Sequence, residues 1–175
     1  DENNQVSFGL VADLSYHNPY MSPFDEMQRL KTHPVIKNVL EGGKRISYGA
    51  RALTKGGLNS LPKFTFPGGV LVGDDAGFLN PAKIKGTHTS MKSGMLAAEA
   101  IFEAVQADRQ HDEVVAYTTM YKESWLYQDN YESRNFSPAI HRMGLFMGGA
   151  FTFIEHNLLK GKMPLTLHDS LPDYD

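Results

Sequence analysis

Cysteine is absent from the 175-residue chain. That excludes disulfides, a thiolate nucleophile, cysteine-ligated zinc and any iron–sulfur cluster held by this chain's own thiolates. Excess positive charge is lacking too: the net charge is -3 and the isoelectric point about 6.2, which argues against nucleic acid as the default partner. A mean hydropathy of -0.36 argues against a polytopic membrane protein. Glycine (16) and proline (9) follow no period, so neither a collagen-like chain nor a linker is indicated. What remains, 41% apolar and 21% charged residues, is the make-up of a folded domain, and the length suits one domain or one and a fraction. Asp1 in place of methionine, with no basic-then-apolar leader after it, reads as a processed chain or an excised piece.

Charge is unevenly spread. Five acids and no Lys or Arg precede Arg29, whereas from Arg29 to Lys63 eight bases face the single acid Glu41. A basic stretch in an acidic chain suits a phosphate group, an anionic lipid surface or an acidic partner; a solvated face balanced elsewhere suits it equally.

Loose apolar alternation predicts strands over 6–14 and 45–53, and the continuous run Val70-Leu71-Val72 predicts a short buried strand. A loop is expected over 16–21, marked by Asn18-Pro19. Ser22-Pro23 signals a helix start, with Phe24, Met27 and Leu30 on one face and a stop before Pro34. Pro34 opens a second short helix that Gly42-Gly43 closes. A long helix is expected over 87–106, with Met91, Met95, Ala98, Phe102 and Val105 on one face and small residues for close packing. Two or three helices fill the last third, one joining Val114, Tyr117, Met120, Tyr121 and Trp125, another starting at Ser137-Pro138. Tyr16, Tyr48 and Trp125 read as core or interface aromatics.

Residues 143–154, MGLFMGGAFTFI, carry no charge and are flanked by His141, Arg142, His156, Lys160 and Lys162. The run is shorter than the ~20 apolar residues a membrane span needs. It suits a helix lying on an anionic membrane surface, with Phe146, Phe151, Phe153 and Ile154 as apolar bulk, or else a buried core helix.

The richest stretch is 67–99, PGGVLVGDDAGFLNPAKIKGTHTSMKSGMLAAE. A strand there would deliver Asp74 at its carboxyl end, where open α/β folds bind ligands. Gly73 and Gly77 let backbone approach a bulky ligand, and the carboxylate can accept hydrogen bonds from polyol hydroxyls. Lys85, Gly86 and Thr87 then introduce the long helix, whose free N–H groups favour an electron-rich atom. A polyol-binding acid beside a helix start aimed at a redox ring describes a flavin site. Taken singly, Asp74 is equally a turn acid and Gly86-Thr87 an ordinary helix start. His88, just inside the helix, could tune a flavin or reach a quinone, or simply belong to the first turn. The other histidines show no i, i+4 metal pairing.

The run GDDAGFLNPAKIKGTHTSMKSGMLAAEAIF resembles the second flavin motif of the electron transfer flavoprotein–ubiquinone oxidoreductase family. YHNPYMSPFDEMQRLKTHP, LEGGKRISYGARAL and GGLNSLPKFTFPGG resemble the same family in the same order. The resemblance implies a mixed α/β (α+β) fold: part of a glutathione-reductase-like flavin domain, a ubiquinone-side domain and a helical last third. It implies part of the ubiquinone-binding domain over 1–62, the closing half of the FAD domain over 63–107, and a helical segment with a membrane-surface region over 108–175. It also implies FAD, a 4Fe-4S cluster and ubiquinone as substrate, with electrons arriving from reduced electron transfer flavoprotein. Gly73, Asp74, Gly77, Lys85, Gly86 and Thr87 fall at its cofactor-binding positions, and 143–165 at its membrane region. The implied location is peripheral on the inner membrane, on the bacterial cytoplasmic or mitochondrial matrix face.

Departures from the family pattern matter as well. No G-x-G-x-x-G occurs, so the pyrophosphate cradle is missing, and no cysteine could ligate the cluster. The resemblance would put the family's quinone-contacting Tyr-Gly-Gly just before Asp1. The isolated chain is therefore expected to hold FAD weakly. Another membrane-associated FAD-dependent reductase of the same fold, of polyprenyl reductase type, is the alternative. For the isolated chain, an inactive quinone- and membrane-contacting module is a third reading.

Overall fold

A computed structural model describes residues 3–14, 16 and 18–168. The ends of the first and last expected domains, and part of the loop at 16–21, lie outside the described residues. The chain divides into two compact units, Asp1–Ala50 and Arg51–Asp175.

The first unit is built from two short helices. In α1 (Pro23–Lys31), Ser22 caps the start by accepting the Asp25 N–H at 3.3 Å, and Pro23 takes the first turn, where its missing N–H costs nothing. Asp25 and Glu26 sit in the first turn and Arg29 and Lys31 in the last, as the helix dipole favours. Pro34 opens α2 (Pro34–Leu40), and Gly42, at φ +77, turns the chain beyond it. Neither helix has a buried residue. The strands expected over 6–14 and 45–53 are not formed: both stretches are irregular. An alternating pattern becomes a strand only when a second strand takes up its backbone groups, and among the described residues none pairs with either. Tyr48 is 88% exposed, with the Arg45 guanidinium 5.2 Å from its ring, and so is not a core aromatic here.

The second unit is mostly helical, with one two-stranded antiparallel sheet. Strand β1 (Thr65–Phe66) pairs with β2 (Gly69–Val70), Thr65 opposite Val70 and Phe66 opposite Gly69. The expected buried strand at 70–72 is thus cut to its first residue, and Val72 is exposed. The mixed fold class holds only in this coarse form. A 3₁₀ turn (Gly73–Ala76) leads to α3 (Thr87–Gln106), α4 (Val115–Glu123), α5 (Trp125–Glu132) and α6 (Phe136–Asn157). The helix expected to run from Val114 through Trp125 breaks at Ser124, whose extended backbone (ψ 159) separates α4 from α5.

The core is an aromatic cluster. The Phe64 ring stands edge-on to Phe78, Tyr117 and Tyr121 at 5.4, 5.2 and 5.4 Å, arrangements worth ~0.5–1.5 kcal/mol per pair beyond burial. Against it α3 presents Leu96, Ala97 and Ala100. The stripe Met91, Met95, Phe102 and Val105 is on the opposite, exposed face, so the sequence-based apolar face is not the buried one. The reason is size: Thr89, Ser93, Ala97, Ala100 and Ala104 let α3 approach its neighbours closely, which the bulkier stripe would prevent.

A buried guanidinium organises the last third. Arg134, 3% exposed, donates to the carbonyls of Tyr131 and Gly161 at 2.7 and 2.8 Å, to those of Met163 and Leu165, and to Thr166 Oγ1. Its Cζ atom lies over the Tyr131 ring, 3.8 Å from the centroid. Asn135 adds its own ties to the Leu165 carbonyl and the Leu167 N–H. The irregular segment after α6 is thereby held by side chains in place of a backbone ladder. Arg134→Ala is expected to lower the unfolding free energy by ~2–4 kcal/mol in urea titrations, because it orphans several buried carbonyls. Arg134→Lys should recover less than half, since one ammonium cannot reproduce the planar fork.

Candidate functional site

The 3₁₀ turn that carries Gly73, Asp74 and Gly77 packs on α3 through Gly73. Gly73 has φ +63, and a Cβ there would lie 3.2 Å from Ser90 Oγ. Its N–H donates to Ser93 Oγ at 2.9 Å, and the Ser93 hydroxyl in turn donates to the Ser90 carbonyl at 2.8 Å. Gly77, at φ +84, closes the turn by donating to the Asp74 carbonyl at 2.9 Å. Between them stands Asp74, half-buried, with its Oδ1 atom fully buried and without a hydrogen-bond partner. A buried acceptor without a partner is costly, and a ligand hydroxyl is the kind of donor that would satisfy it.

Gly86 caps α3 with no side-chain cap bond, so the N–H groups of its first turn are left to outside acceptors. Ser90, the residue against the Gly73 turn, is three residues into the helix beyond Thr87, ~4.5 Å along the axis. The turn thus meets α3 through Gly73, about one helical turn in from Thr87, while Gly77 lies against Thr54 and Leu61 and Gly86 against Leu79. Lys85 is exposed and contributes its carbonyl, which accepts the Asn80 N–H at 3.2 Å.

Sequence reasoning missed the residues that hold the helix start. Asn80, 1% exposed, accepts the N–H groups of Ala82 and Lys83 on Oδ1 and donates through Nδ2 to Asp129 Oδ2 at 2.8 Å. Lys83 pairs with Asp129 Oδ1. His88 lies with Nε2 3.9 Å from Asp129 Oδ2, and its ring stacks on Trp125 at 5.8 Å with 4° between planes. Burial pushes the Asp129 carboxyl up, but hydrogen bonds from Lys83 and Asn80 and the charges of Lys83 and His88 outweigh it and hold the group below its ordinary value. Asn80-Pro81 was the only signal in the sequence, and it marks a turn without disclosing a partner 49 residues away.

The expected membrane residues lie on α6. Gly144, at φ 72 and ψ 177, kinks this helix in a region of backbone space essentially confined to glycine. Beyond the kink Phe146 is 90% exposed, and Phe153 and Ile154 are also exposed, with Leu145, Met147 and Leu158 beside them. Phe151 is half-buried. Among the described residues no helix is long and apolar enough to cross a membrane, and no group of His, Asp or Glu could hold a metal ion.

Comparison with known proteins bears on the whole chain. Residues 1–53 match the family model described as "ETF-QO, ubiquinone-binding". The chain is 63% identical over 174 residues to the electron transfer flavoprotein-ubiquinone oxidoreductase of Pseudomonas aeruginosa, covering 99% of this chain and 32% of the relative. It is 48% identical over 171 residues to the mitochondrial protein of that name from Arabidopsis thaliana, and 47% identical over 176 to that from Homo sapiens. The chain spans about a third of the length of the relatives it matches. The resemblance seen in the motifs thus extends over nearly every residue, as a segment of that family that includes its ubiquinone-binding region.

The lowered Asp129 value sets a pH dependence. A carboxyl whose folded value lies below its unfolded value near 3.8 contributes stability above that pH, and loses it as pH falls through the folded value. Urea unfolding at pH 6 and pH 3 should show a smaller acid loss for Asp129→Asn than for wild type. Equal losses would remove Asp129 from the account.

Proposed function

We propose that this chain is the quinone-side and closing flavin part of an enzyme that passes electrons from reduced electron transfer flavoprotein, through FAD and a 4Fe-4S cluster, to ubiquinone. The observation that carries this reading is the 63% identity over almost the entire chain, joined to the ubiquinone-binding match over 1–53. The division into 1–62, 63–107 and 108–175 belongs to the same reading.

The flavin half-site fits its residues. Asp74 Oδ1 is a buried acceptor in want of a donor, and Gly73 and Gly77 hold the chain in a turn that a side chain would crowd. Asp74 would accept from a ribityl hydroxyl. Gly86 and Thr87 would offer the first N–H groups of α3 to the electron-rich edge of the ring, stabilising charge that gathers there. Bound FAD would supply the electron-accepting and electron-donating ring. Lys85 would add positive charge on the approach. His88, stacked on Trp125 and facing Asp129, is held at the same helix start. The cluster would be ligated outside this chain, which has no cysteine.

Membrane contact follows from α6. Phe146, Phe153 and Ile154 lie on the exposed side of the second limb, with Phe151 partly turned inward, and Arg142, Lys160 and Lys162 flank it with positive charge. Such a limb would lie in the head-group layer, giving peripheral and salt-sensitive binding. The location that suits it is the inner membrane, on the bacterial cytoplasmic or mitochondrial matrix face. The relatives from Arabidopsis thaliana and Homo sapiens are mitochondrial.

Two measurements test this reading in the full-length protein. Asp74→Ala should weaken FAD retention by ~1.5–3 kcal/mol, one charge-assisted hydrogen bond, read as loss of flavin absorbance on dialysis. Unchanged flavin content would refute the assignment. For the membrane limb, Phe146→Asp and Phe153→Asp should each reduce co-sedimentation with vesicles containing anionic lipid, and raising salt should weaken the wild type as well. Folded variants that sediment like wild type would make the limb an ordinary protein surface.

A further inference from the structure

The loop that delivers α3 is strained. Ile84 sits at φ +50, a left-handed conformation that is a genuine outlier for a β-branched residue. Such a residue persists only where its surroundings hold it, and strain of this kind gathers at functional sites. Ile84 is half exposed, so packing on its own side chain does little to hold it.

What holds it comes from α5. Asp129 engages Asn80 at the loop's first residue and Lys83 just before Ile84, and it faces His88 in the first turn of α3. Trp125, one turn earlier on α5, stacks on the same His88 ring. Asn80 in turn binds the backbone of Ala82, Lys83 and Lys85. Both ends of the loop are therefore referred to one carboxylate, 16% exposed, that lies outside the flavin motif in sequence.

We propose that Asp129 is a positioning residue: from α5 it locks the strained Asn80–Gly86 loop, and so sets where the first N–H groups of α3 stand relative to a flavin ring. The proposal rests on the flavin reading above and adds to it a residue that touches no cofactor.

The sign of one measurement separates positioning from simple electrostatics. Removing a negative charge near a flavin favours its reduced, more negative form, and by charge alone raises the midpoint potential. Releasing the helix start removes N–H groups that stabilise the same form, and lowers it. In the flavin-loaded full-length protein, Asp129→Asn should therefore lower the potential, by about tenfold in the reduction equilibrium, ~59 mV for one electron. Asp129→Glu should return most of the shift.

Asn80→Ala provides a second, charge-neutral variant, because it removes the amide through which Asp129 holds the first residue of the loop. It should move the potential downward as well, with faster amide exchange over residues 86–90. A folded Asp129→Asn protein with an unchanged or raised potential overturns the proposal, as does a folded Asn80→Ala protein with wild-type potential. Should Asp129→Asn not fold, combining it with Ile84→Gly, which lets the loop keep its positive φ without penalty, restores the fold, and the potential of that double variant then decides. Asp74→Ala is measured alongside. If it leaves flavin content unchanged, the flavin reading itself fails; if it lowers flavin content while Asp129→Asn leaves the potential in place, only the positioning role fails.

Discussion

One buried hydrogen bond, from the Gly73 N–H to Ser93 Oγ, joins the two halves of the candidate site. It can form only because three conditions meet. Gly73 adopts a positive φ with little space for a side chain, Ser93 is wholly buried on α3, and small residues along that face let the helix come close. The aromatic cluster of Phe64, Phe78, Tyr117 and Tyr121 then backs the turn on its other side, with Phe78 also returning a backbone bond to Gly73. Asp74 is left between them with an unsatisfied oxygen. A fold that strands a buried acceptor at the junction of a glycine turn and an uncapped helix carries a local cost, and ligand binding is what would offset it.

Polar side chains do much of the work that backbone ladders do in other folds. Arg134 and Asn135 pin the segment after α6 through its carbonyls and the Leu167 N–H, and Asn80 with Asp129 pins the loop before α3. Each of these residues is buried or nearly so, so its hydrogen bonds work in a low dielectric and leaving them unmade is expensive. The same economy of regular structure explains the kink at Gly144. It ends one helical direction and begins another, and Gly148 then passes so near Ala139 that a Cβ would come within 2.6 Å of its carbonyl oxygen. The second limb is thus turned back on the first, with Phe146 and Phe153 outward.

Local signals were read where the chemistry is local. Ser22-Pro23 capped and opened α1, Pro34 opened α2, and α3 ran over 87–106 as its composition indicated, because caps, prolines and helix formers act within a few residues. The strands over 6–14 and 45–53 did not form, since a strand is completed by its neighbour and not by its own pattern. On α3 the strongest apolar stripe is not the face that packs. Methionine and phenylalanine carry the stronger hydrophobic signal, yet the threonine, serine and alanine face made the contact, because approach distance depends on side-chain size.

By itself, the sequence determined the family resemblance, the positions of the short helices and the glycine–aspartate turn, all of which are written in contiguous residues. The tertiary structure alone decided that Asp74 keeps a buried oxygen without a partner, that Ser93 meets Gly73, and that Asp129 binds Asn80 and Lys83 in the loop before α3. These three facts join residues 20 to 49 positions apart, or depend on everything packed around one atom. Hydrogen bonding and desolvation are set by distance in space, and no periodicity along a chain encodes which distant residue will supply the partner.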